Sequence, residues 1–507
     1  MHMSLLRASP FVGLSFRVAL LLSGYLSATA GAQPASASQG ALPSARVEAF
    51  VHRLMLTNKI PGLQIAVVQH GKVVLLGAYG IANVEDSVPV SDQTVFPVNS
   101  ITKAFVGVAV MQLVEAGKLD LSGPVSRYLD GLPAPWRAVT IKQLLTHVSG
   151  IPDLWDSHAR MVADGEEALM RKLSETPMES PTGTKYSYNQ TNYYLLGRVI
   201  TKLAGQPFTD FIAEHQFRVV GMPHSGFGDS HDVVPHLAPT YCYCEETERG
   251  TVPADTLHAV LRDWPTYIRT AAGINTTAED MARWLIALQS GVLLKPESLS
   301  VLWSPGTLND GTVHGANDVF NGYAIGWPLV IRPKYRAVAS TGGNKAALFI
   351  YPESELAIIL LTNLVIGPER FMDRIAGYYL PEMRTSGFGL PPAIQAFRAE
   401  LLRQGFAKAP DVLKQLEVKD SHFKLSEDEL ITWAYQLLEE GEDGASVAIF
   451  KLTVARYPKS ANAYDSLAEA YEMSGEKQRA IENYTRSLEL NPKNTNAVQH
   501  LQRLKGL

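Results

Sequence analysis

Apolar positions recur with helical spacing over residues 44–58. Two apolar runs follow, LQIAVVQ and KVVLLGAYG, on either side of His70-Gly71. Runs of this length around a two-residue turn predict a β-hairpin. A second pair of runs, within LFIYPESELAIILLTN (348–363), flanks a turn at residues 352–355. The stretch between the two pairs reads mainly as helix and loop. Strands at both ends with helices between them predict an α+β domain over residues 42–383, its sheet closed by the two ends of the domain.

Beyond residue 383 the pattern changes. Residues 384–425 read as a charged helical extension or linker. A period of 34 then appears: Leu430, Leu437, Gly441, Ser446, Phe450 and Pro458 recur as Tyr464, Tyr471, Gly475, Ala480, Tyr484 and Pro492. Two antiparallel helices per unit at this period fit the tetratricopeptide repeat. Residues 426–507 are therefore expected to be all-α, two repeats with a capping helix over 495–504. Such repeats offer a concave surface to a protein or peptide partner, or pack against the rest of the chain.

Composition narrows the classes. The chain has 507 residues, 46% of them apolar, enough for more than one core. A net charge of −5 gives no footprint for nucleic acid. Arg7 and Arg17 precede an apolar stretch over 18–26, and Ala30-Gly31-Ala32 has the small residues of a cleavage site. We read residues 1–32 as a signal peptide cut after Ala32, residues 33–41 as a linker, and the protein as periplasmic or secreted without a stable membrane anchor. Cys242 and Cys244 are the only cysteines, too few for a disulfide framework. In a strand they would share a face; the expectation here is a reduced pair in a loop.

Ser-x-x-Lys occurs three times, at Ser100/Lys103, Ser421/Lys424 and Ser474/Lys477. Only the first opens an apolar helix, AFVGVAVMQLVEAG. Positions i and i+3 lie on one helix face, so the Ser100 hydroxyl and Lys103 amine can meet. Burial and the positive end of the helix dipole both disfavour a protonated amine there. Either Lys103 reaches solvent, or the site keeps a lysine that is easily deprotonated, as a general base requires. The free N–H groups at the helix start, that of Ser100 included, suit an oxyanion.

Three further motifs follow in order: LLTHVSGIPDL (144–154), PTGTKYSYNQTNYYLLG (181–197) and STGGNKAALFIYPESELAIILLTN (340–363). Together with FPVNSITKAF they make residues 42–383 resemble the serine β-lactamase and penicillin-binding-protein family, especially its class C β-lactamase, esterase and D-aminopeptidase branch. The resemblance implies a five-stranded antiparallel sheet flanked by helices, beside a helical subdomain. It implies Ser100 as the acylated nucleophile, Lys103 as its general base and Tyr188 as their partner in proton transfer. It implies Gly343 N–H as a second oxyanion donor beside Ser100. Substrate contacts fall on Gln190, Ser340, Thr341 and Gly342.

Two of these positions depart from the family pattern. Gln190 replaces the usual asparagine of the Tyr-x-Asn motif. Ser340 replaces the usual lysine or histidine, so the third motif offers a hydroxyl but no cation. That weakens recognition of a substrate carboxylate unless Lys345 or Arg336 supplies the charge. His147 reads as a structural turn residue. His224, His231 and His236 with Asp229 and Asp232 match no zinc spacing, and no metal or cofactor is expected. Asp280, after Thr276-Thr277, reads as a helix-capping residue. The resulting expectation is an exported serine hydrolase acting on an ester or amide. The alternatives are a β-lactamase or D,D-peptidase, and a non-catalytic protein that binds a partner through its repeats.

Overall fold

A computed structural model describes residues 42–156, 161–247, 250–261 and 264–506. The signal peptide and linker readings fall outside these residues. The core of the N-terminal part is a mixed-length antiparallel sheet. Its strands are β1 (Gly62–Gln69), β2 (Lys72–Asn83), β3 (Val88–Pro89), β4 (Gly322–Tyr323), β5 (Pro328–Val330), β6 (Ala337–Gly342), β7 (Ala346–Tyr351) and β8 (Leu356–Thr362). They lie in the order β3-β2-β1-β8-β7-β6-β5-β4. The first and last long strands, β1 and β8, pair antiparallel from Leu63–Thr362 to Gln69–Leu356. The two ends of the domain thus close the sheet, as the hydrophobic pattern predicted.

The five longer strands, β2-β1-β8-β7-β6, make the expected five-stranded body. The three two- or three-residue strands at the edges are additional, and segments so short carry no periodic signal. The β1–β2 turn places His70 at φ 51° and Gly71 at φ 69°. Positive φ at both central residues is what a right-twisted hairpin needs from a two-residue loop.

The sheet is buried on both faces, which is why β1 and β8 read as unbroken apolar runs. Ala357, Ile359 and Leu361 of β8 pack toward a helical layer that contains α2 (Thr102–Glu115) and α3 (Gln190–Ala204). Leu356, Ile358 and Leu360 pack on the other face against α1 (Pro43–Thr57) and α4 (Met372–Tyr379). Helix α2 is buried from Thr102 to Met111, as a helix apolar all round must be.

The cysteines depart from expectation. They lie in a strand, Tyr241–Thr247, paired antiparallel with Gly250–Ala259, and a disulfide joins Cys242 to Cys244. Alternate residues of a strand share a face. A register shift between the two cysteines brings their Cα atoms to 5.2 Å, within disulfide reach. No helix among the described residues is long and apolar enough to cross a membrane.

The C-terminal part is a stack of helices: α5 (Pro392–Gln404), α6 (Ala409–Lys419), α7 (Glu427–Glu439), α8 (Asp443–Arg456), α9 (Ala461–Met473), α10 (Lys477–Leu490) and α11 (Thr495–Lys505). Gly441 and Gly475, at φ 81° and 78°, turn α7 into α8 and α9 into α10. Ile394, Phe397 and Leu401 of α5, with Val412 and Leu413 of α6, share one core with α7–α11. Residues 384–425 are therefore packed structure in that stack.

The stack is fastened to the sheet domain by buried charge. Arg53 of α1 grips Asp443 with both terminal nitrogens, at 2.5 and 3.2 Å, and also donates to Leu438 O. Arg374 of α4 pairs with Glu439 and Glu440 and donates to Gln436 O at 2.9 Å. Thr57 and Asn58 add hydrogen bonds to Glu439. The last carbonyls of α7 and the acids just beyond them form one anionic end, which suits arginine. Removing one partner from such a pair strands the other charge. Arg374→Met is expected to destabilise the full chain by about 3 kcal/mol, read from denaturant unfolding. A change below about 0.5 kcal/mol would show that the clamp contributes little.

Candidate active site

Ser100 sits in a 3-10 turn, Asn99–Ile101, that leads directly into α2, and Lys103 is the second residue of that helix. Residues i and i+3 nearly eclipse in a 3-10 turn, and Lys103 Nζ donates to Ser100 Oγ at 3.2 Å. Asn99, just before Ser100, has φ 44°, a conformation that asparagine tolerates better than most residues. Lys103 does not reach solvent: it is 1% exposed. Its second acceptor is Ala271 O at 2.9 Å, and the rings of Tyr188 and Tyr193 flank the amine at 4.8 and 5.2 Å. Burial lowers the lysine pKa to about 7, with the Asp153 carboxylate pulling the other way. Half of the population is then a neutral amine near pH 7, able to take a proton.

Tyr188 lies close enough to Ser100 for the two hydroxyls to interact electrostatically. Burial raises its pKa, and the Ser100 contact partly offsets the rise. The residue as a whole is 38% exposed. The chain around it is held from below. Asn189 caps α3 by accepting the Asn192 N–H at 3.0 Å, and its Nδ2 donates to Ile151 O. Asn189 N–H donates to His147 Nδ1 at 3.0 Å, which places the imidazole proton on Nε2, facing Tyr323 at 3.2 Å. Burial holds His147 well below the usual histidine pKa, so it is a neutral ring, tilted 40° to that of Tyr188 with the centroids 4.4 Å apart. This is the structural role read for it in the sequence.

The end of β6 closes the site from the other side. A Cβ on Gly342 would lie 1.9 Å from Val98 O and 3.1 Å from Ser100 N. Gly343 has φ 57°, and a Cβ there would lie 2.7 Å from Asn99 Oδ1. Only glycine lets this strand end press so close to the Ser100 turn. Ser340, buried, shares the Gly342 face of β6, and alternation puts the partly exposed Thr341 on the other face. The structure thus brings Ser100, Lys103, Tyr188, Gly342 and Gly343 together, with Ser340 beside them.

Gln190 behaves differently from a side-chain ligand of Lys103. It begins α3, and its backbone N–H donates to Asp153 Oδ1 at 2.8 Å. Ala271 O, rather than a side-chain amide, accepts the second hydrogen bond of the Lys103 amine. Two groups were thus missed in the sequence. Ala271 acts through its backbone, which has no residue-type signature. Asp153 stood within GIPDL but carried no spacing rule of its own. Of the two substitute cations considered, Arg336 pairs with Glu353 at the far end of β6. Lys345 lies near Gly343 and donates to Thr240 Oγ1.

The histidine-rich loop does not gather a metal set. Asp229 and Asp232 both pair with Arg269, and no cluster of three or more metal-ligating side chains occurs among the described residues. Asp280 lies at the start of a helix capped by Thr277 and accepts from Ser225 Oγ and His224 N–H.

The model of the beta-lactamase family matches residues 47–378, and the chain belongs to that family. It is a family of serine hydrolases that act through an acyl-enzyme. The protein flp of Staphylococcus aureus strain MW2 is 27% identical over 327 residues, 63% of each chain. The chain thus spans somewhat less than two thirds of that curated relative. A penicillin-binding protein structure from Bacillus halodurans matches 64% of this chain and 99% of its own, at 25% identity and a TM-score of 0.52. The D-amino acid amidase of Ochrobactrum anthropi SV3, solved with D-phenylalanine, covers 66% of this chain at 20% identity and a TM-score of 0.56, a likeness of fold alone.

Two outcomes are expected from this geometry. A lysine protonated in the unfolded chain but half-neutral when folded costs stability at and below pH 7. That cost fades as pH rises toward the unfolded lysine pKa. Lys103→Met should therefore stabilise the protein at pH 7, by about 1–3 kcal/mol after loss of the hydrogen bond to Ala271 O. The gain should shrink toward pH 10, and unfolding curves across pH check it. Gly342→Ala should destabilise by about 2 kcal/mol or more, because backbone atoms have to move to admit the methyl group. A melting temperature unchanged from wild type would contradict that packing.

Proposed function

We propose that this chain is an exported serine hydrolase that works through Ser100 as an acyl-enzyme. The observation that carries this reading is the 3.2 Å contact of Ser100 Oγ with an amine buried enough to be half-neutral near pH 7. The Ser100 oxygen attacks a carbonyl carbon while its proton passes to Lys103, with Tyr188 beside the same hydroxyl. The tetrahedral oxyanion is held by the N–H groups of Ser100 and Gly343, at the close approach of β6 to the nucleophile turn. The proton returns to the leaving group through Lys103 and Tyr188. Water activated beside Tyr188 then releases the acid. No metal or organic cofactor takes part in these steps.

Ser340 in place of a cation favours an ester or small amide over a β-lactam. The second reading, a β-lactamase or D,D-peptidase, draws on Lys345, whose Cε lies 3.4 Å from where a Cβ on Gly343 would be. We further read α7–α10 as two tetratricopeptide repeats and α11 as their cap. The α1/α4 clamp on the end of α7 gives the first of them a packing role, which supports catalysis rather than partner binding as the main work of the chain.

A fluorophosphonate probe tests the proposal. The intact mass of the wild type should rise by one adduct and that of Ser100→Ala should not. Tyr188→Phe should slow ester hydrolysis by roughly 10²–10⁴-fold. Phenyl acetate should be a better substrate, by kcat/KM, than a chromogenic cephalosporin; the reverse order supports the β-lactam reading. An unlabelled wild type would overturn the acyl-enzyme reading and favour a non-catalytic binding protein.

A further inference from the structure

We propose that the cleft between the sheet domain and the helical stack is a binding site for an amphiphilic monoanion, a carboxylate carried on an apolar chain. None of its lining residues belongs to the Ser100 site, so the inference stands whether or not Ser100 is acylated. The cleft encloses about 590 Å³. Organic ligands often lie between domains, in cavities of roughly 300–1,000 Å³. One wall is α1 and α4 with the short helix Pro381–Thr385, and the other is α5 with the turn from α7 into α8.

Four arginines line the cleft, Arg46, Arg53, Arg384 and Arg398, against three glutamates, Glu439, Glu440 and Glu442. Some of these charges are already engaged. Asp443 holds Arg53, and Arg374 holds Glu439. Glu440 reaches Arg374 at 3.3 Å, which leaves Arg384 only longer contacts, 3.9 Å to Glu440 and 3.5 Å to the exposed Glu442. Arg46 and Arg398 meet no acidic side chain among the described residues. Arg46 lies over the Tyr378 ring at 5.2 Å, and Arg384 lies over the same ring at 4.9 Å. Arg398 donates only to two backbone carbonyls, Thr385 O at 2.9 Å and Arg384 O at 3.3 Å. Two guanidiniums thus share one ring, a third lines the same cleft, and the carboxylates there offset only part of their charge.

The lining sets the class of ligand. Guanidinium groups take a carboxylate through paired N–H donors. Arg46 commits none of its donors within the described protein, and Arg398 commits two. Four arginines against three glutamates leave one positive charge, and Arg374 and Asp443 behind them cancel. A single negative charge balances that excess. A phosphate dianion would face Glu440 and Glu442 uncompensated. Apolar surface for a chain comes from Phe50, Leu402, Phe406 and Leu437, and Leu402 leaves 58% of itself in solvent here. Such a ligand would tie α1 and α4 to α5, beside the Arg53 and Arg374 clamps.

The competing role is a solvent-filled seam whose arginines only join the two parts. A photoreactive dodecanoate with a diazirine on its chain separates the two, used on the full chain near neutral pH, with the matching dodecanol probe as the neutral control. Mass spectrometry of the labelled peptides should place the adduct on α1 or α5, and unlabelled dodecanoate should compete. Arg46→Gln should reduce that labelling at least about tenfold, as loss of a charge-assisted contact implies. Arg46 makes no hydrogen bond among the described residues, so the variant should melt within about 2 °C of wild type. If it melts lower, Arg398→Gln decides, with the same loss expected. No labelling, adducts confined to other peptides, equal labelling of α1 or α5 by the dodecanol probe, or labelling unchanged in both variants would overturn the inference.

Discussion

The burial of one amine organises the rest of this molecule. Lys103 sits buried in the first turn of a helix with no polar face, where the helix dipole is unfavourable to positive charge. A lysine there is retained at a cost to stability. What the cost secures is an amine near neutrality within reach of Ser100. The groups around it are arranged to hold it: Ala271 O accepts a hydrogen bond from it, and Tyr188 and Tyr193 wall it in. Asp153 keeps its pKa from falling further.

The sheet exists, for function, to deliver one strand end to that amine. Closure of β1 on β8 fixes β7 and β6 in register, and β6 then ends in two glycines against the Ser100 turn. The helical layer delivers Tyr188 from the other side through a chain of neutral hydrogen bonds that runs from Asn189 through His147 to Tyr323. Each wall of the site is thus positioned by a different layer. The C-terminal helices do not enter the site. They are tied by Arg53 and Arg374 to the outer face of the sheet, remote from α2.

Much of this was legible in the residues. Apolar runs on either side of His70-Gly71 marked a hairpin, and Ser100 with Lys103 marked a helix start with a misplaced cation. The period of 34 marked paired helices turning at Gly441 and Gly475. The parts that were not legible have physical causes. Strands of two or three residues leave no pattern. The Cys242–Cys244 pairing depends on a register shift that spacing alone does not encode. Ala271 contributes a carbonyl, which every residue has. Gln190 shows the limit of motif reasoning: the position is right, but the group that works there is its backbone N–H. Residues 384–425 looked like a linker because their apolar face is narrow, yet Phe397 and Val412 complete the core of the stack.

The central claim is that Lys103 is poised near neutrality in the folded protein, and it is open to direct measurement. Lysines labelled with ¹³C at Cε can be titrated by NMR, with Lys103→Met identifying the resonance. A single lysine signal with a midpoint near pH 7, absent from the variant, is the predicted result. A Lys103 signal that titrates with the other lysines near pH 10.4 would contradict the account, since a fully charged amine could not serve Ser100 as a base.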